Sequence, residues 1–160
     1  MSQEDRRMRI SLHLSENQNE VQKQIENCAD ILFRPLLIGE KEKTEAFLIY
    51  IEVAVSNLML EEHVIGLSDV QPLKSYEEGK AALLAGNGLL FLDGDTNCYK
   101  ISSKGYPGLG VKKAENEKVI RGSQEAFTES EKINVALIRK RLRDSRMKVE
   151  EQTVGVRSHT

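Results

Sequence analysis

The 160-residue sequence has no run of about 18 apolar residues, the length a membrane-crossing helix needs. The longest apolar stretch, 46–55, is interrupted by Glu52 and has the length of a strand. The start, Met1-Ser2-Gln3-Glu4-Asp5-Arg6-Arg7, lacks the apolar segment of a signal peptide, which predicts a cytosolic orientation. There are only two cysteines, Cys28 and Cys98, in apolar or hairpin surroundings; they make no disulfide framework or metal knuckle and read as reduced packing residues. His13, His63 and His159 fall in unrelated segments without a Cys or His at ligand spacing, which argues against zinc. Charge imbalance is missing too: a net charge of −2 creates no whole-molecule field toward nucleic acid or acidic lipid, so such binding would need a local patch. What is present, 39% hydrophobic and 30% charged residues, suffices to bury a core and remain soluble.

Taken in order, residues 1–14 read as a flexible lead-in. Ser15-Glu16-Asn17-Gln18 has the form of a capping box, and Val21, Ile25, Cys28, Ala29 and Leu32 follow at helical spacing. Residues 31–38 predict a strand that Pro35 confines to a sheet edge or a bulge. Phe47-Leu48-Ile49-Tyr50-Ile51 predicts a strand covered on both faces. Ser56-Asn57 offers a cap for a short helix that Gly66 would end. The polar run 68–72, with Pro72, predicts a joint, after which the pattern restarts. Ser75-Tyr76-Glu77-Glu78 caps a helix stopped by Gly86-Asn87-Gly88, and Asp93-Gly94-Asp95-Thr96 is the turn of a hairpin. Residues 103–117 predict a loop, 119–120 a short strand and 147–156 a final strand. The expected fold is α/β (α+β): two small subdomains, 15–70 and 76–160, each a short sheet with packed helices, joined by a linker at 71–75 near Gln71-Pro72.

No catalytic arrangement stands out. Asp93-Gly94-Asp95-Thr96-Asn97 resembles the start of a calcium loop, but Cys98 and Lys104 stand where such a loop needs Gly and Glu. Gly105-Tyr106-Pro107-Gly108-Leu109-Gly110 has no Lys-Ser or Lys-Thr ending and does not match a phosphate-binding loop. Glu61, Glu62 and His63 are adjacent on a helix and point in different directions, which fits a solvated face. The expectation is a non-enzyme without cofactor or metal.

The richest stretch is 121–142. Thr128-Glu129-Ser130-Glu131 fits a capping box and predicts a helix from near Glu129. Arg139, Lys140, Arg141, Arg143, Arg146 and Lys148 could contact phosphates, giving a minor reading of nucleic-acid binding through helix 129–143. The absence of interleaved aromatics and the favourable helix dipole instead support a solvated or partner-facing cluster. Ile133 and Leu137 form one apolar line, and Val135, Ile138 and Leu142 another, so two contact surfaces are expected.

Residues Arg121, Gly122, Glu125, Phe127, Glu129, Asn134, Leu137, Ile138, Arg139 and Arg141 fall on a pattern that resembles the signature of the bacterial spore germinant receptor A-subunit family. The hairpin Leu89-Leu90-Phe91-Leu92-Asp93-Gly94 and the end 152–160, with Gly155, are similar to the family as well. Ser123 departs from its usual Pro, and 109–118 lacks its usual Arg-Ser lead-in. The resemblance implies the N-terminal domain of a receptor that detects nutrients in Bacillus-like spore formers, with membrane-spanning helices after residue 160. It implies a place in the spore inner membrane with this domain on the spore-core side. Implied partners are B and C subunits of the same receptor and other A subunits, with no nucleic acid. The motif residues, together with Leu142 and Gly155, would be structural or subunit contacts. Signal transduction and assembly are the implied role; the alternative is a nutrient-sensing domain with a small molecule bound between the subdomains.

Overall fold

A computed structural model describes residues 9–55, 70–103 and 126–152. Its elements are helix α1 (Leu14–Gln24), strands β1 (Ile31–Ile38) and β2 (Thr44–Ile51), a 3-10 turn (Glu52–Ala54), strand β3 (Val70–Leu73), helix α2 (Tyr76–Leu84), strands β4 (Gly88–Leu92) and β5 (Cys98–Ile101), and helix α3 (Glu131–Arg141). The class is mixed α/β, as the sequence pattern predicts.

The strands form one antiparallel sheet in the order β1-β2-β4-β5-β3. This corrects the expectation of a separate short sheet in each half. β2 from the first half pairs directly with β4 from the second, Phe47 opposite Phe91 and Ile49 opposite Leu89. The continuous apolar run of β2 explains the merger, because a strand buried on both faces gains by having ordered neighbours on both sides. Gln71 and Pro72 are likewise not a linker: they lie in β3 opposite Lys100 and Tyr99. The strand is at the sheet edge, where a residue without an N–H is tolerated, and Pro35 is accommodated the same way in β1 at the other edge.

Alternation along β2 and β4 divides the core. Phe47, Ile49, Ile51, Leu89 and Phe91 share one cluster with Val21 of α1 and Tyr76 and Leu83 of α2. Ala46, Leu48, Tyr50 and Leu90 face the opposite side. On the helical side Phe33, Phe47 and Phe91 stack in a row, with ring centroids 4.6 and 4.5 Å apart. Fully burying a side chain such as Phe47 or Phe91 is worth about 1.5–3 kcal/mol, and the half-buried Phe33 extends the row to β1, so it joins β1, β2 and β4.

Helix ends follow local chemistry, not always as the spacing suggests. Ser75 caps α2 by accepting from the Glu78 N–H, as expected. At the other end Gly86, at φ 89°, lets its N–H reach the Leu83 carbonyl and that of Asn87 the Ala82 carbonyl, so both orphan carbonyls are satisfied. The box expected at Ser15 does not form: α1 starts at Leu14, whose N–H is taken by Asp93 from the hairpin turn at 3.0 Å. α1 also ends early, at Gln24. Asn27 adopts a left-handed conformation (φ 60°), and Leu32 pairs with Tyr50 in β1, so Cys28, Ala29 and Leu32 lie outside the helix. In the described part of the predicted final strand, 147–152, the pairing is one parallel bridge between Val149 and Cys28, and the remainder lies outside the described residues. The predicted helix after Ser56-Asn57, the loop 105–110 and the strand 119–120 lie outside the described residues.

Candidate functional site

Of the motif residues, Arg121, Gly122, Glu125 and Gly155 lie outside the described residues. The remainder gather on and around α3. The helix starts two residues later than predicted, with Ser130 as its cap accepting from the Ile133 N–H at 3.5 Å. Thr128 is unavailable for the expected box because Asn134 holds it: the Asn134 carboxamide accepts from the Thr128 N–H and donates to its carbonyl, both at 2.7 Å. This two-point clasp folds the lead-in back onto the helix. Beside it Phe127 is 68% exposed, and at the far end of the helix Leu142 is 51% exposed. Glu129 and Arg141 are on the surface, and Ile138 is half-buried.

The two apolar lines resolve unevenly. Leu137 is buried, together with Ala136, and α3 packs on the 3-10 turn after β2. Ile133, Val135 and Ile138 are half-buried.

Arg139 is the main departure from the sequence-based reading of the basic cluster as a solvated or partner-facing surface. It is 1% exposed and forms a two-pronged ion pair with Asp30, Nε to Oδ2 at 2.7 Å and Nη2 to Oδ1 at 2.9 Å. Its Nη1 donates to the Met147 carbonyl at 3.2 Å, and Nη2 lies 3.9 Å from the Cys28 sulfur. Burial alone would lower the Arg139 pKa, but the Asp30 carboxylate outweighs it and raises it, so the guanidinium stays charged. The planar fork of arginine suits this geometry, whereas lysine would meet one carboxylate oxygen. Asp30 was missed in the sequence. Its one signal was a carboxylate set between Cys28-Ala29 and the apolar run Ile31-Leu32-Phe33, where an unpaired charge would be costly.

Other cations of the cluster are engaged separately. Arg146 grips Asp144 at 2.6 Å, which holds the Asp144 carboxyl at about 2, and Lys148 donates to the Gln24 carbonyl at 3.0 Å. Lys132 reaches Glu52 at 3.3 Å on the surface.

A small apolar hollow of about 50 Å³ lies between α1, α2, the sheet and the segment after α3, with Ile25, Ile49, Leu83 and Phe91 on one side and Arg139 and Met147 on the other. It is far below the 300–1,000 Å³ of typical ligand pockets. The carboxylates of the hairpin turn are also committed. Asp93 caps α1, and Asp95 accepts from the Asn97 N–H at 2.9 Å and the Tyr99 hydroxyl at 2.5 Å. Among the described residues, no group of three or more His, Cys, Asp or Glu is placed to hold a metal ion. None of their helices is long and apolar enough to cross a membrane.

Residues 59–160 match the family described as Bacillus/Clostridium GerA spore germination protein. The chain is 28% identical over 173 residues to the uncharacterized membrane protein YfkQ of Bacillus subtilis, covering 94% of this chain and 33% of that protein. It is 25% identical over 181 residues to spore germination protein KA of the same organism, covering 99% and 33%. It thus spans about a third of the length of these relatives. In fold it is similar to the N-terminal domain of the A subunit of the Bacillus megaterium spore germinant receptor GerK3, with a TM-score of 0.70, 20% identity, and coverage of 92% of this chain and 61% of that one.

Proposed function

Because the chain belongs to the Bacillus/Clostridium GerA spore germination protein family, we propose that it is the N-terminal domain of a germinant receptor A subunit and acts in signal transduction and receptor assembly. Its partners in this reading are the B and C subunits and other A subunits, at the spore inner membrane, with the domain facing the spore core. The role is non-catalytic. The observation that carries it is the division of labour on α3. One helix is locked into the domain by Arg139 and Leu137 while it holds Phe127 and Leu142 out toward solvent at its two ends. A docked helix presenting apolar side chains is suited to contact another protein, since covering them removes apolar surface from water.

The test is Leu142→Asp in the full-length receptor. The expected result is germination slowed several-fold in response to nutrient, with the melting temperature of the isolated chain unchanged. Wild-type germination would overturn the role assigned to this helix.

The nutrient-sensing alternative finds less support. A cleft hinged near Pro72 would have to open through a strand paired within a continuous sheet.

A further inference from the structure

Residues 131–149 are attached to the rest of the domain in an unusual way. Among the described residues, no α3 side chain belongs to either apolar cluster of the sheet. The helix packs on the 3-10 turn, and Ala136 and Leu137 are its buried apolar residues. The attachments that join this segment to the first third of the chain are mainly polar: Arg139 to Asp30, the Ala29 N–H to the Val149 carbonyl at 2.8 Å, and Lys148 to the Gln24 carbonyl. Two of these fall on the turn 28–30, and Arg139 also holds the Met147 carbonyl, so the helix and the chain after it are tied together as they are tied down. Between this segment and the core lies the apolar hollow. A void forfeits packing contacts on both of its walls, which weakens closure at the place where the segment meets the core.

We propose that residues 131–149 form an arm that docks on and releases from the sheet as one body, with the Arg139–Asp30 pair as its latch. Release leaves both apolar clusters of the sheet intact, because the arm contributes to neither. The latch gives the docked state its specificity: a bidentate pair has one geometry, and losing either partner strands a buried charge. This inference stands on the attachment geometry and does not require the receptor reading.

Hydrogen exchange of the 160-residue chain, followed by mass spectrometry, tests it. In the wild-type chain, peptides from 131–149 should exchange together and faster than those of β2 and β4. Asp30→Asn should accelerate the arm about a hundredfold or more, with the arm still exchanging well ahead of β2 and β4. Val149→Cys provides a second variant, because residue 149 bridges Cys28 and a disulfide there would lock the arm. The oxidised variant should protect the arm, and reductant should restore its exchange. Two results would overturn the proposal: arm and sheet exchanging at one common rate that Asp30→Asn raises together, or oxidised Val149→Cys leaving the arm as fast as in its reduced form.

Discussion

The Tyr76 hydroxyl, on the first residue of α2, donates to Asn17 of α1 at 2.5 Å, joining two helices whose partners are 59 positions apart in sequence. Asn17 is fully buried and also closes a pair of 2.8 Å hydrogen bonds with the Ser11 N–H and carbonyl. One side chain therefore fixes the lead-in, α1 and α2 together. Tyr76→Phe removes one bond and leaves Asn17 with Ser11, so a loss of about 0.5–1.5 kcal/mol is expected. Asn17→Ala strands the Ser11 backbone groups and the Tyr76 hydroxyl, and the loss should be clearly larger, about 2–4 kcal/mol. Urea unfolding of the two variants gives the order directly; equal losses would contradict the shared role of Asn17.

Alkaline pH should weaken the fold through two buried groups. Burial, reinforced by Glu20, pushes the Tyr76 hydroxyl from 10.0 up to about 12, and burial pushes the Cys98 thiol from 9.0 up to about 12. Both are neutral in the folded chain and ionise more readily when it unfolds. Their contribution is therefore complete below pH 9 and falls as pH rises from 9 to 12, Cys98 acting from 9 and Tyr76 from 10. The two-unit shift of Tyr76 corresponds to ~3 kcal/mol at most. Stability measured against pH should fall less steeply above pH 10 in Tyr76→Phe than in the wild-type chain. The same burial makes Cys98 inert to a thiol reagent at pH 8 until the chain unfolds.

The buried ion pair should respond asymmetrically to substitution. Arg139→Met alone leaves Asp30 charged in an enclosed site and should cost about 3–5 kcal/mol. Adding Asp30→Leu removes the stranded charge, and the double variant should recover most of that loss. Chemical denaturation of the two single variants and the double variant closes the cycle. A double variant no more stable than Arg139→Met would show that the pair's surroundings, rather than its charge, set the cost.

What could be read from the sequence divides along the range of the interactions. The hairpin at Asp93-Gly94, the cap at Ser75, the buried strand at Phe47–Ile51 and the edge position of Pro35 each depend on neighbours within a few residues, and each has the expected form. The box at Ser15 does not form because the helix begins one residue earlier, at Leu14, whose N–H Asp93 takes, and the box at Thr128 does not form because Asn134, six residues ahead, takes the Thr128 N–H. β3 was mistaken for a linker because an edge strand of four residues containing Pro and Gln has the composition of a loop; only pairing with β5 makes it a strand. Arg139 was hardest to place. Six cations in a short stretch look alike in sequence, and burial of one depended on an aspartate 109 residues earlier.

The prolines at the two rims of the sheet bear on how the domain can meet its neighbours. Pro35 lies in one outer strand and Pro72 in the other, so each border lacks a hydrogen-bond donor. Among the described residues, lateral growth by annexing a foreign strand is thereby discouraged on both flanks of the sheet. Contacts through side chains on helices and helix ends are favoured over a shared backbone ladder.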